Sequence, residues 1–360
     1  MNSNFKTFVL LGVAAFVFTA NVARAATVDS AGTTGTVLPL SIAAANTPVV
    51  AVYKINTFSE GPSWDGNSGR LTFSSTTLGK IYSYVPATKA QTEYMTLQAV
   101  NGQELANDGR LYVCAKGGIY SFDAQGGDKQ TVLTVTPDPN DLTIDSKGNI
   151  FFSTYDPSFW YRPAGGTAKK VNPRTYTSSN GIEYLEESGI LYVNDYGGNR
   201  VYKYTVAADG SLSNETTFAT VTSPDGITID TNGNLYIASG GSGKSIVVLS
   251  PSGTKLGEID ITTSLGNKTS NCVFGGPDRK TLYITGDGGL FAVQLNVAGR
   301  VRPASTTAIQ TRYDLTSPRS GSRISGLRNL SGTVIFEIPG DASHSNPRRG
   351  LITGHQLPAL

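Results

Sequence analysis

The chain has 360 residues, of which 16% are charged and 39% hydrophobic, with 41 Gly, 17 Tyr and a formal net charge of +2. That length holds one large domain with tails, and the composition excludes a disordered chain or a coiled coil while suiting many short strands joined by tight turns. The charge is uneven: residues 299–360 hold eight Arg, no Lys and three acids, a net +5, so the remainder carries −3 and no nucleic-acid partner is expected.

Residues 1–25 read as a secretory signal. Lys6 precedes an apolar run from Phe8 to Ala20, and Ala23-Arg24-Ala25 forms an A-x-A cleavage site before Ala26. The apolar run of about 13 residues is short of the ~20 a membrane span needs, so cleavage and secretion, to the periplasm or the extracellular space, are expected. Nothing later in the chain is apolar for long enough to span a membrane. Residues 26–46 read as a flexible Ala/Thr/Gly linker, and Val49–Ile55 as a strand.

From residue 60 a unit repeats. Glu60, Asn101, Asn140, Asn180, Asp225 and Asn271 each open a short apolar run, at gaps of 41, 39, 40, 45 and 46 residues. Turn pairs follow, among them Asp65-Gly66, Asp108-Gly109 and Asn232-Gly233, and then second strands such as Leu111-Tyr-Val and Leu235-Tyr-Ile. A period of about 40 residues built from short strands predicts an all-β, six-bladed β-propeller with four-stranded blades over 47–297. The sixth repeat runs out of chain after its third strand, near Val297, so the strand at Val49–Ile55 is expected to complete that blade and close the ring. Residues 298–360 lack the period and read as a basic, disordered tail, with Thr333–Ile338 its one strand-like stretch.

Both histidines, His344 and His355, lie in that tail, so the repeats cannot build a Ser-His-Asp or Cys-His dyad or a histidine-ligated metal site. The two cysteines, Cys114 and Cys272, fall on different repeats and are expected as buried free thiols. What the repeats do share is the opener. The first strand of each propeller blade lies innermost, so six side-chain oxygens, from one Glu, one Asp and four Asn, should converge as a ring suited to Ca²⁺ or Mg²⁺. An Asn or Asp opener could instead serve only a strand-entry turn, but Glu60 is no turn former.

The stretches Glu60-Gly-Pro-Ser-Trp, Pro139-Asn-Asp-Leu, Ser179-Asn-Gly-Ile, Pro224-Asp-Gly-Ile and Asn271-Cys-Val-Phe-Gly, in order at blade spacing, resemble the gluconolactonase/regucalcin (senescence marker protein) family of six-bladed propeller lactonases. The resemblance implies one divalent cation in the channel, Ca²⁺ first with Mg²⁺, Mn²⁺ or Zn²⁺ as alternatives, held by Glu60, Asn180 and Asp225. It implies a metal-dependent hydrolase for a small-molecule lactone, with the metal polarising the carbonyl and Asp225 as the catalytic residue assisting water attack. Asn140 matches a substrate-facing position. Asn101 is carried as a second substrate contact, although a strand-entry turn explains it and Asn271 most simply. One departure bears on specificity: some sugar-lactone members carry Arg two residues before the Asn of the Asn-Asp motif, and here that residue is Asp138. The aromatic cluster Tyr155, Phe159, Trp160 and Tyr161 either lines the channel mouth or packs within a blade. The alternative function is a non-catalytic propeller with a structural metal that binds a ligand or protein partner. The sequence leaves the oligomeric state open.

Overall fold

A computed structural model describes residues 38–45, 47–241, 244–261 and 268–302, and the backbone of 328–330, 333–338 and 348–353. The expected signal sequence lies outside the described residues, as does most of the expected linker and tail. Five four-stranded antiparallel sheets follow one another along the chain, with inner strands Glu60–Asp65, Gln103–Leu105, Pro139–Ile144, Ser179–Leu185 and Pro224–Ile229. The sixth has Thr269–Gly275 innermost. Its next two strands are the two arms of Thr281–Gln294, which bends where Gly288 and Gly289 take positive φ. The outermost strand is Val49–Phe58, paired to the second arm with Val49 opposite Val293. This is the six-bladed propeller the repeats predict, closed by the N-terminal strand. The sole helical element among the described residues is the 3₁₀ turn Glu186–Ser188, and no helix there is long and apolar enough to cross a membrane.

Apolar faces of neighbouring blades interlock to form the core. Leu71, Phe73, Tyr82 and Tyr84 of blade one meet Val273, Tyr283 and Leu290 of blade six. Ile42 and Ala43 are buried against blades five and six, ahead of the closing strand. Cys114 and Cys272 are free and buried. The aromatic cluster after Asn140 divides: Phe159 and Tyr161 are buried in the core between blades three and four, and Trp160 stacks on Phe152 at 6.0 Å. Tyr155 alone stays open to solvent, 51% exposed.

The glycine after four of the openers has a spatial cause. A Cβ on Gly61 would lie 2.4 Å from the Asn101 carbonyl oxygen, on Gly181 2.1 Å from that of Asp225, on Gly102 2.3 Å from Asp141 Oδ1, and on Gly226 2.0 Å from Asn271 Cγ. Each inner strand comes so close to the next that only hydrogen fits. Gly181→Ala is therefore expected to cost about 1–3 kcal/mol by overpacking, read as a lower urea midpoint at unchanged m-value, and a wild-type midpoint would contradict this account of the ring.

After blade six the chain turns under the channel. Thr231 N–H donates to the Ala298 carbonyl (2.8 Å) and Arg300 N–H to that of Ile229 (3.1 Å), fixing residues 298–300 at the far end of the inner strand of blade five. Thr333–Ile338 is the middle strand of a three-stranded antiparallel sheet with Arg328–Leu330 and Arg348–Thr353.

Candidate metal centre in the channel

The openers sit at one end of the channel. Glu60, Asn101, Asn140, Asp225 and Asn271 are buried and Asn180 is partly so. Glu60 accepts a hydrogen bond from Gly61 N–H (3.3 Å), with the Ser270 side chain beside it. Ser270 is itself fixed by the Ser59 carbonyl at 2.6 Å and Thr285 Oγ1 at 2.9 Å. The Asn180 side chain and the Gly226 N–H lie beside the Asp225 carboxyl and favour its ionised form, while its main-chain carbonyl accepts from Asn194 Nδ2. The Asn180 amide oxygen is a candidate third donor beside the two carboxyls.

Electrostatics at this end are unbalanced. Burial, reinforced by the Asp141 charge, pushes Glu60 up to about 8. Burial, then the Glu60 and Asp141 charges, hold Asp225 well above the carboxylate range. Among the described residues neither carboxyl has an ion-pair partner. Two carboxyls and an amide oxygen, without nitrogen or sulfur donors, form a set that fits one hard divalent cation. Among the described residues no three His, Cys, Asp or Glu side chains cluster as metal ligands.

The structure draws further residues in. Asp141 accepts from Leu142 N–H (2.9 Å) and, across the channel from blade three to blade six, from Asn271 Nδ2 (3.2 Å). Burial lifts Asp141 to about 6, opposed by the Leu142 N–H, the Arg302 charge and the Asn271 bond. Asn271 thus does more than begin a strand, although its Oδ1 also takes Cys272 N–H at 2.8 Å as a local turn would. Asn101 likewise reaches outward, donating through Nδ2 to the Tyr155 hydroxyl at 2.8 Å. Asn140 is buried in the ring, its carbonyl accepting from Gly102 N–H at 2.8 Å. A sequence signal for Asp141 exists: four openers are followed by Gly, and in blade three that place is taken by an acid.

Three residues along from Asn101 and Asn180, Glu104 and Glu183 point into the opposite end of the channel. Arg302 meets Glu183 Oε2 at 2.7 Å and Glu104 Oε2 at 3.4 Å, and Arg300 lies 3.8 Å from Glu183 Oε1 and pairs with Glu187. Burial pushes Glu104 up to about 8 and Glu183 up to about 7, with Arg302 the main opposing influence on each. The channel is therefore pinned at the end opposite the openers.

Residues 58–287 match the family model described as the SMP-30/gluconolactonase/LRE-like region. The chain is similar to pentonolactonase XacC of Haloferax volcanii, 26% identical over 246 residues that cover 64% of this chain and 81% of the relative. Among solved structures it superposes on a gluconolactonase from Xanthomonas campestris with a TM-score of 0.63 at 22% identity, covering 74% of this chain and 98% of the other. It also superposes on a calcium-binding protein, regucalcin, from Agrobacterium tumefaciens with a TM-score of 0.62 at 18% identity, covering 70% and 95%. At these identities the two structures speak to the fold.

Proposed function

Because the chain belongs to the SMP-30/gluconolactonase/LRE-like family, we propose that it is an exported hydrolase that opens a lactone with the help of a divalent cation, calcium first. The observation that carries this reading is the pair of buried carboxyls, Glu60 and Asp225, that face one channel and, among the described residues, have no ion-pair partner. Glu60, Asn180 and Asp225 would hold the cation, which supplies Lewis-acid polarisation of the ester carbonyl. The residues supply the rest. Asp225 accepts a hydrogen bond from the attacking water and orients it, which suits a carboxylate whose basicity a bound cation would lower. Asn140, buried in the same ring, offers an amide to the substrate. With the far end pinned, substrate would enter from the opener end. Relatives named as lactonases support the reaction class.

The test is hydrolysis of alkyl, aryl and sugar lactones by the mature protein before and after chelation. Activity should vanish with chelator and return with Ca²⁺, and Asp225→Ala should abolish it. Turnover that survives chelation sinks the metal reading. A tightly bound cation with no turnover of any lactone favours the binding module instead.

A further inference from the structure

We propose that Tyr155 and Tyr196 set the substrate class at this site. They wall the mouth above Glu60, Asn180 and Asp225 and select an uncharged lactone with an apolar or aromatic substituent, which the Tyr155 hydroxyl grips by a hydrogen bond. The proposal rests on the lactone-opening reading and narrows it.

Strand register puts both tyrosines at the opener end. Pro139 pairs with Thr154 and Ser179 with Asp195, so the loops that follow Thr154 and Asp195 begin level with Asn140 and Asn180. Tyr155 is held at two points: its N–H donates to the Asp138 carbonyl at 3.1 Å, and its hydroxyl oxygen accepts from Asn101 Nδ2 at 2.8 Å. Among the described residues that hydroxyl makes no other hydrogen bond, so its proton is available to a ligand. Tyr155 is 51% exposed while Phe159 and Tyr161 of the same blade are buried. Tyr196 stands on the other side. A Cβ on Gly240 would lie 2.9 Å from Tyr196 Cε2 and 3.1 Å from Asp225 Oδ2, so the ring edge and the carboxyl flank one glycine. The Tyr196 hydroxyl lies beside Gly241 and Ser223, and the ring edge is what flanks the carboxyl.

After burial, the Glu60 and Asp225 carboxyls act on both tyrosines. One divalent cation balances those two carboxyls and has nothing to spare for an anionic substituent. Where a basic side chain could clamp such a substituent, Asp138 is turned to Gly117 N–H at 2.8 Å. Two aromatic faces and one hydroxyl donor remain, and these favour a flat or apolar neutral ring.

The experiment is calorimetric titration of the Ca²⁺-loaded protein with 3,4-dihydro-2-quinolinone, a lactam isostere of an aryl-fused lactone, and with its carboxylated derivative. The neutral lactam should bind, and the carboxylated one at least about tenfold more weakly. Tyr155→Phe should weaken the neutral lactam about 3- to 10-fold through the lost hydroxyl, and Tyr155→Ala about 30-fold or more. Thermal melts verify that both variants fold. In parallel, Tyr155→Phe should raise KM for the matching aryl lactone and leave kcat nearly unchanged. Equal or tighter binding of the carboxylated lactam, unaltered binding to Tyr155→Ala, or no binding of the neutral lactam overturns the assignment. If the lactam binds through Tyr155 but no lactone is turned over, the hydrolase reading fails and the assignment of the mouth stands.

Discussion

Replacing Arg302 with methionine is expected to destabilise the propeller at alkaline pH, by up to about 3–5 kcal/mol, because it removes the counter-charge that two channel carboxylates share. Glu183 is 1% exposed and Glu104 8%, while Arg302 itself is 18% exposed. Glu104 has one further partner, the Ile144 N–H at 3.2 Å, and Glu183 has only Arg300 besides. The ion pair is not offered as a net source of stability, since burying both partners costs desolvation; the loss comes from orphaning one side. Both Glu side chains are raised by burial, to about 8 and about 7, so they are neutral in fold and unfolded chain alike at low pH, and their cost to the fold grows as pH rises from the unfolded value to those values. Removing Arg302 pushes them higher still, so variant and wild type part only above about pH 7. The defect should therefore be small near pH 5 and clear at pH 8.5, and adding Glu183→Gln to Arg302→Met should recover much of it. Urea denaturation at the two pH values measures this. A variant as stable as wild type at pH 8.5, or a defect equal at both, would falsify the pin.

The fold was legible because propellers advertise themselves by period. Six openers near 40-residue spacing gave the blades, and a sixth repeat one strand short pointed to Val49–Ile55 as the missing strand. Glu60 stood out because no turn requires a glutamate, and the Asn-Gly and Asp-Gly pairs at Asn180 and Asp225 matched family motifs. What stayed hidden is what depends on three-dimensional meeting. Asp141 reads in sequence as the second half of an Asn-Asp turn; only the ring shows it bonded to Asn271 across the channel. Glu104 and Glu183 look like ordinary strand acids until Arg302 arrives from 119 residues beyond Glu183. Tail composition, eight Arg among Ser, Thr and Gly, masked the fact that Arg300 and Arg302 are bound into the channel. The aromatic cluster sorted by alternation: Phe159 and Tyr161 share one buried face of a strand, whereas Tyr155 precedes that strand and so could reach the mouth.

Calcium should stabilise the protein far more at pH 8.5 than at pH 5.5. Without a cation, Glu60 is raised to about 8 and Asp225 well above the usual range, both first by burial. A carboxyl with a raised folded-state pKa costs the fold nothing below its unfolded value near 4.5, and the cost grows as pH rises through the folded value. The chelated protein should thus lose stability between about pH 5 and 8. Glu104 and Glu183 share that trend, so the difference made by calcium is the specific readout. A cation must displace the protons from Glu60 and Asp225 to bind, which weakens it at pH 5.5 and strengthens it as they ionise. At a thousandfold excess over Kd the stabilisation approaches about 4 kcal/mol, a rise of about 10 °C in Tm for a domain of this size. Melting curves with chelator and with Ca²⁺ at the two pH values measure the increment. Glu60→Gln removes one titrating donor, so its calcium increment should shrink markedly and lose most of its pH dependence. A calcium increment that is the same at both pH values, or that survives intact in Glu60→Gln, would show that the cation, if bound, is held elsewhere, because a site built on Glu60 and Asp225 cannot take up Ca²⁺ without releasing their protons.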